Sequence, residues 1–170
     1  GQCDTSFKTG TEYAQFSNGQ GCYDSNNKTG KRTGADSNSY SVHTFWKPED
    51  SSIIPSISAG FGQSYLSGDF SGQYAEIFSS WMVGLQWSDV FLEGNSLGGA
   101  IGQGQFVSSR NKGTPDDGNY VMEVWYNYQV TDNISITPAI YWLSRPYGDN
   151  TPQGDSLGVL GGVVQTNFKF

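Results

Sequence analysis

The chain has 170 residues, of which 35% are hydrophobic, 15% aromatic and 15% charged, with 23 glycines and a formal net charge of −7. The acidic balance argues against nucleic acid as a partner. The aromatic content argues against a disordered chain, and no run approaches the roughly 18 apolar residues of a membrane helix. Sparse helix formers with abundant Gly and aromatics fit an all-β protein whose sheet keeps one polar face.

Taken in chain order, the start Gly1-Gln2-Cys3-Asp4-Thr5 has neither the basic residues nor the apolar stretch of a signal peptide. The expectation is a mature chain or a fragment. Cys3 and Cys22 lie in a polar region without C-x-x-C spacing or a nearby histidine. A disulfide clipping a loop in an oxidising compartment is therefore expected over a metal or redox pair. A short, weak strand is expected over Glu12 to Phe16, within a polar, loop-like region 1–38.

Residues 39–170 read as strands. In Ser39 to Lys47, Tyr40, Val42, Thr44 and Trp46 alternate with Ser41, His43 and Phe45. After a turn at Pro48-Glu49-Asp50-Ser51, Ile53 to Tyr65 sets Ile57, Ala59 and Phe61 against Ser58, Gly60 and Gly62. A polar loop precedes Ile77 to Trp87, where Trp81, Val83, Leu85 and Trp87 oppose Ser80, Met82, Gly84 and Gln86. A turn, Ser88 to Asn95, leads to Ser96 to Phe106, and a polar loop to Gly118 follows. In Asn119 to Val130, Tyr120, Met122, Val124, Tyr126 and Tyr128 alternate with Val121, Glu123, Trp125, Asn127 and Gln129. Thr131-Asp132-Asn133 turns into Ile134 to Leu143, and the loop Ser144 to Ser156 precedes the last strand, Leu157 to Phe170. There Leu160, Val164, Thr166, Phe168 and Phe170 alternate with Val163, Gln165, Asn167 and Lys169.

Period two means that each strand has one apolar and one wetter face. Strands of about 9–12 residues, joined alternately by long polar loops and short turns, are what transmembrane barrels show. The expected fold is an antiparallel up-and-down transmembrane β-barrel, with about seven or eight strands in this chain. A terminal strand closing on an aromatic residue suits an outer-membrane barrel, with the C-terminus and short turns periplasmic and the long loops outside. Aromatics fall near strand ends, as interfacial girdles require. Trp46, Trp87, Tyr128, Phe168 and Phe170 are assigned to one rim, and Phe61, Trp81, Tyr120 and Trp142 to the other. Pro55 and Pro138 are a counter-signal within strands, to be absorbed by a strand start or a bulge.

No catalytic constellation is visible, so no enzyme, cofactor or metal site is expected. His43 is the lone histidine and reads as a polar inward residue. Gly98 to Gly104 lacks the spacing of a nucleotide loop and reads as a strand where backbone bends or closely approaches a neighbour. Asp116-Asp117-Gly118-Asn119 supplies too few oxygens to hold calcium and reads as a solvated turn. The inward polar residues are candidates for lining a pore, where they would set local field and bore. They are His43, Glu123, Asn127, Gln129, Gln165, Asn167 and Lys169, with Arg145 in a loop that could fold into a mouth.

Gln129-Val130-Thr131-Asp132-Asn133-Ile134-Ser135-Ile136-Thr137-Pro138-Ala139-Ile140 resembles the penultimate hairpin of cyanobacterial outer-membrane porins of the OprB-like, carbohydrate-selective family, some of which are labelled iron-uptake porins. Ile54-Pro55-Ser56-Ile57-Ser58-Ala59-Gly60-Phe61-Gly62, Val83-Gly84-Leu85-Gln86-Trp87-Ser88-Asp89 and Thr166-Asn167-Phe168-Lys169-Phe170 are similar to marine picocyanobacterial members. The likeness runs from about Ser39 to Phe170, and residues 1–38 follow only loosely. The resemblance implies an N-terminal peptidoglycan-binding homology domain, a helical segment and a barrel of roughly sixteen strands. This chain then corresponds to the C-terminal part of the barrel, completed by a missing part or by other copies, with closure of eight strands alone into a small barrel as the third outcome; the resemblance implies a homotrimer. The function so implied is passive diffusion of small hydrophilic solutes or ions across the outer membrane, with lipid as the outer partner. No His/Cys/Asp cluster supports iron as the solute. The competing readings are an envelope protein whose outward loops serve as a receptor, and a secreted soluble β-protein.

Overall fold

The computed structural model describes residues 10, 11, 14, 35–49, 53–68, 74–152 and 156–170. Seven strands follow one another: β1 (Ala35–Trp46), β2 (Ser56–Gly68), β3 (Ala75–Ser88), β4 (Ser96–Arg110), β5 (Val121–Thr131), β6 (Ile134–Ser144) and β7 (Gly158–Phe168). A single 3-10 turn, Gly148–Asn150, lies between β6 and β7. The strands pair antiparallel in sequence order, β1-β2-β3-β4-β5-β6-β7. At 11 to 15 residues each is long enough to cross a bilayer at a tilt. Among the described residues the sheet is open: β1 pairs with β2 alone and β7 with β6 alone. The connections β1–β2, β3–β4 and β5–β6 lie at one end of the sheet, here the turn end, and β2–β3, β4–β5 and β6–β7 at the other, the loop end. Their lengths do not alternate as expected, since the β2–β3 connection, 69–74, is shorter than β1–β2, 47–55, and β3–β4, 89–95.

Two expectations at the boundaries need correction. A strand over Glu12 to Phe16 does not form at Ala14, which is helical. Its N–H donates to Thr11 Oγ1 at 3.1 Å, the bond of a threonine opening a helical turn. The other residues of that expected strand, and Cys3 and Cys22, fall outside the described residues. β2 begins at Ser56, not at Ile53, which leaves Pro55 before the strand. Pro138 does sit inside β6, opposite Val164 of β7. On its other side the β5–β6 ladder has no partners between Trp125↔Ala139 and Tyr128↔Ile136, though the register is the same on both sides of the gap. A residue without an N–H cannot complete both ladders, so it falls at this gap.

Register carries the alternation of each strand across the whole sheet. One row joins Thr44, Ala59, Val83, Ile101, Met122, Trp142 and Leu160. The next row along joins Phe45, Ser58, Gly84, Ala100, Glu123, Tyr141 and Gly161 on the opposite face. A one-residue slip of any strand would move its apolar set to the wrong face, so this register is strongly specified. β4 departs from it near the loop end. There it is longer than β3, and register shifts fall between Ile77 and Phe78 and between Ser79 and Trp81. The extra residues fall on β4 between Gln103 and Phe106 and between Val107 and Ser109. A Cβ on Gly102 would strike the Trp81 carbonyl, and one on Gly104 would lie 3.2 Å from Gly10 Cα. The glycines at 98, 102 and 104 are thus places of close approach within a strand.

The only hydrophobic cluster of buried side chains among the described residues is small: Ala14, Ala75, Phe78 and Val107, with Leu66 against it. Most large apolar side chains are instead exposed, among them Val42 (72%), Val124 (57%), Leu160 (73%) and Phe168 (60%). A water-soluble sheet protein rarely leaves so wide a contiguous apolar face bare.

Gly98 has a specific packing role. It lies directly across from Trp125, and a Cβ there would fall within the indole ring. Gly98→Ala is therefore expected to cost about 1–3 kcal/mol in a urea titration of the folded protein, as an overpacked wall does. Adding Trp125→Ala should relieve most of that loss; an additive double variant would show that the two do not touch.

Candidate functional site: the two faces of the sheet

The outer face carries Tyr40, Val42, Phe61, Trp81, Val83, Leu97, Val124, Ile140, Trp142 and Val164, as their pairings show. Toward the loop end this face turns polar, and its polar groups satisfy one another. Tyr65 Oη donates to Gln63 Oε1 at 2.8 Å, Gln63 Nε2 to Ser79 Oγ at 3.2 Å, and Trp81 Nε1 to Gln103 Oε1 at 2.6 Å. Tyr40 and Tyr65 meet edge to face at 6.1 Å, and Trp81 and Tyr120 at 6.5 Å. At the turn end Trp46, Tyr128, Phe168 and Phe170 are exposed, and Trp87 Nε1 donates to the Ile53 carbonyl at 3.0 Å. Sequence reasoning missed Tyr40 and Tyr65 as a rim pair. It also missed Phe91, which is 87% exposed in the β3–β4 turn and packs on Tyr126 at 6.1 Å. Phe91 lies in no alternating segment, so periodicity offered no signal. The turn that presents it is held by Asn95, which donates to Tyr126 Oη at 2.7 Å and accepts from Gln129 N–H at 2.9 Å.

The inner face is lined by small and polar residues on β1 to β4, with larger ones on β5 to β7. His43 lies across from Gly60, Glu123 across from Ala100 and Tyr141, and Asn127 across from Ser96. Gln129 and Asn167 both face Ser135, and Gln165 Nε2 donates to Asn167 Oδ1 at 3.0 Å. The structure thus brings Gln129, Gln165 and Asn167 together near the turn end. It leaves His43 and Glu123 apart from them. Glu123 has no hydrogen-bond or ion-pair partner among the described residues. An ionised carboxylate without partners needs water. Lys169 lies beyond β7, where its backbone exchanges bonds with Asn133: Lys169 N–H to the Asn133 carbonyl at 2.8 Å, and Asn133 Nδ2 to the Lys169 carbonyl at 2.7 Å.

At the loop end, three segments are tied together around Asp117. This residue was expected in a solvated turn; it is 1% exposed. Its Oδ2 accepts from Thr11 Oγ1 at 2.7 Å and Val107 N–H at 2.6 Å, and its Oδ1 accepts from Asp149 N–H at 3.0 Å. Burial pushes the Asp117 carboxyl above its ordinary value. The hydrogen bonds from Val107, Thr11 and Asp149 pull it down, and the neighbouring charge of Asp149 adds to the rise. Two ion pairs flank this hub: Arg110 with Asp149 at 2.6 Å and Arg145 with Asp116 at 2.9 Å. Arg145 takes φ +43 and also donates to the carbonyls of Asp116 and Gly118. Its guanidinium is committed to joining two loops. Thr11 N–H reaches the Gln105 carbonyl at 2.9 Å, so Gly10 and Thr11 lie against β4. Phe78 and Val107, on the inner face, pack with Ala14. Among the described residues no group of three or more His, Cys, Asp or Glu could hold a metal ion.

A meander of long strands, apolar on one face and wet on the other, with turns at one end and tied loops at the other, defines the wall of a membrane β-barrel. The model of the OprB family, described as carbohydrate-selective porin, matches residues 2–170, and this chain belongs to that family of outer-membrane channel proteins. An uncharacterized protein of Nostoc sp. (strain PCC 7120) is 31% identical over 134 residues, 79% of this chain and 22% of that protein. An uncharacterized protein of Synechocystis sp. (strain PCC 6803) is 30% identical over 123 residues, 69% of this chain and 21% of that protein. The chain thus spans about a fifth of the length of these cyanobacterial relatives. No solved structure matches.

Proposed function

We propose that the seven strands form part of the wall of an outer-membrane porin through which small hydrophilic solutes or ions diffuse passively. The observation that carries this is the division of the sheet. Its apolar face runs over all seven strands, while the opposite face holds Glu123, without a partner among the described residues, and the amides of Gln129, Gln165 and Asn167. Lipid covers the first and water the second. On this reading the aromatics at the two strand ends form the girdles at the bilayer surfaces. The turn end, with Phe170, faces the periplasm.

The open edges of β1 and β7 cannot lie unpaired in hydrocarbon. Further strands must meet them, from the rest of a longer polypeptide or from other copies. An eight-stranded barrel would be filled by its own side chains, whereas roughly sixteen strands leave an aqueous lumen. The small inner residues Gly60, Gly62 and Gly84 suit the larger barrel, and a homotrimer is the assembly proposed. Reconstitution of the assembled protein into a planar bilayer is expected to yield stepwise conductance. A purified, correctly assembled oligomer that never conducts would sink this reading.

A further inference from the structure

On the inner face of β1 to β4 the side chains are mostly small or polar, and Met82 departs from that pattern. It shares its face with Ser80, Gly84 and Gln86, yet it is a large apolar side chain and 41% exposed. It stands in one row with His43, the lone histidine of the chain, and Gly60 lies between them. The missing side chain of Gly60 lets the two lean together. A Cβ there would lie 2.7 Å from His43 Nδ1 and 3.4 Å from Met82 Cγ. The imidazole and the thioether chain therefore approach one point above this glycine. The Met82 methyl continues toward Gly84, 3.7 Å from where a Cβ of that residue would stand, so its sulfur lies between the two glycines.

A recess of about 230 Å³ opens here, lined also by Ser41 and Ser80. His43 makes no hydrogen bond or ion pair among the described residues. On its far side Met82 is opposite Gly102, which carries nothing that could cover it. A nitrogen donor and a sulfur donor thus face the same small space, and neither is committed to another group of the wall.

We propose that His43 and Met82 form a binding site for a soft monovalent metal ion, Cu(I). Imidazole nitrogen and thioether sulfur are ligands that this ion takes in preference to oxygen. A metal bonds nitrogen at about 2.0 Å and sulfur at about 2.3 Å, which is the scale of the gap to be bridged above Gly60. Magnesium and calcium take oxygen ligands and gain nothing from the thioether. Zinc in a protein site needs three or four protein ligands. Among the described residues no third His, Cys, Asp or Glu joins a cluster here. A filled-shell Cu(I) ion is content with two ligands, one nitrogen and one sulfur. Two ligands on one wall make a stop from which the ion can leave again. The site needs the inner face to be wet, as the channel reading has it, but it does not depend on conduction.

Silver(I) is the probe, since it shares the charge and filled d shell of Cu(I) and is stable in air. The assembled protein is isotopically labelled at its methionine methyl groups and its thiols are alkylated. Silver nitrate is then added in chloride-free detergent buffer and followed by NMR. Met82→Leu and Met122→Leu assign the two signals, and Met122, on the outer face between Ile101 and Trp142, is the internal control. The Met82 signal should shift saturably with silver, and the Met122 signal should stay in place. His43→Ala should raise the half-saturating silver concentration about tenfold, equivalent to about 1.4 kcal/mol. His43→Gln, which keeps a polar side chain on the wall, should do the same, and an unmoved Met122 signal in both variants reports an intact fold. No shift of Met82 in wild type would overturn the site. Half-saturation unchanged in both His43 variants would show a lone thioether taking up silver, and would overturn the pair. Either result leaves the channel reading standing. A pore that never conducts while Met82 still binds silver through His43 would remove the channel reading and keep the site.

Discussion

Arginine at position 124 should largely abolish the folded protein, whereas arginine at position 41 should be tolerated. Val124 lies on the outer face in the middle of β5, between Gly99 and Ile140, and is 57% exposed. If lipid covers that face, a guanidinium there costs about 2–4 kcal/mol at the bilayer midplane. Ser41 is across from Gly62 on the inner face, where an added cation meets water. The measurement is a urea titration of each variant in liposomes or detergent, followed by the shift in gel migration between folded and heated protein. A soluble sheet protein would give the reverse ranking or none. Similar stabilities for Val124→Arg and Ser41→Arg would therefore remove the membrane assignment at its base.

The second large effect is expected at Asp117. Asp117→Ala leaves the Thr11 hydroxyl and the Val107 and Asp149 N–H groups without their acceptor, in a site that excludes water. Each unsatisfied buried donor costs about 1–3 kcal/mol, so a loss of several kcal/mol is expected in the loop cluster. Hydrogen exchange at the Val107 and Asp149 amides should accelerate strongly, while amides in the centres of β5 and β6 should not change. Unaltered protection at Val107 would mean that Asp117 does not hold the loops.

The pH dependence follows from the direction of the shift. The folded-state pKa of Asp117 is raised, because burial disfavours the ionised form. A raised pKa means that the contribution of this group to stability is fully present below the unfolded-state value. It is lost as pH rises through the folded value. Wild type should therefore gain stability relative to Asp117→Asn as the pH falls through that interval, and mild acid should not release the loops through this residue. Thermal unfolding of both proteins across the carboxylate range would check the sign.

The alternation in β1, β2, β3, β5, β6 and β7 was readable from the chain because side chains in a strand alternate strictly. Tyr40, Val42 and Trp46 needed no partner strand to be grouped, nor did Trp81, Val83 and Leu85. Pro55 and Pro138 were readable as places where a ladder would yield, and Gly98 to Gly104 as a strand that a neighbour approaches closely. The inward set of Glu123, Asn127 and Gln129 followed from the same parity.

Other features depend on residues far apart in the chain. Asp117 read as a solvated turn because Asp116-Asp117-Gly118-Asn119 is a run of turn-forming residues; its burial comes from Thr11, Val107 and Asp149, brought together by the loop ends of different strands. Arg145 read as a residue of a loop that could fold into a mouth, and the fold pairs it with Asp116. Ala14 read as strand from its neighbours and became part of a helical turn docked on Phe78 and Val107. The recess between His43 and Met82 needs three adjacent strands in one register before it exists. Local periodicity therefore determined which face each residue takes, since that depends on one backbone alone. Only the tertiary structure decided which residues share a row, a hub or a recess, since register and loop docking are set by contacts between distant segments.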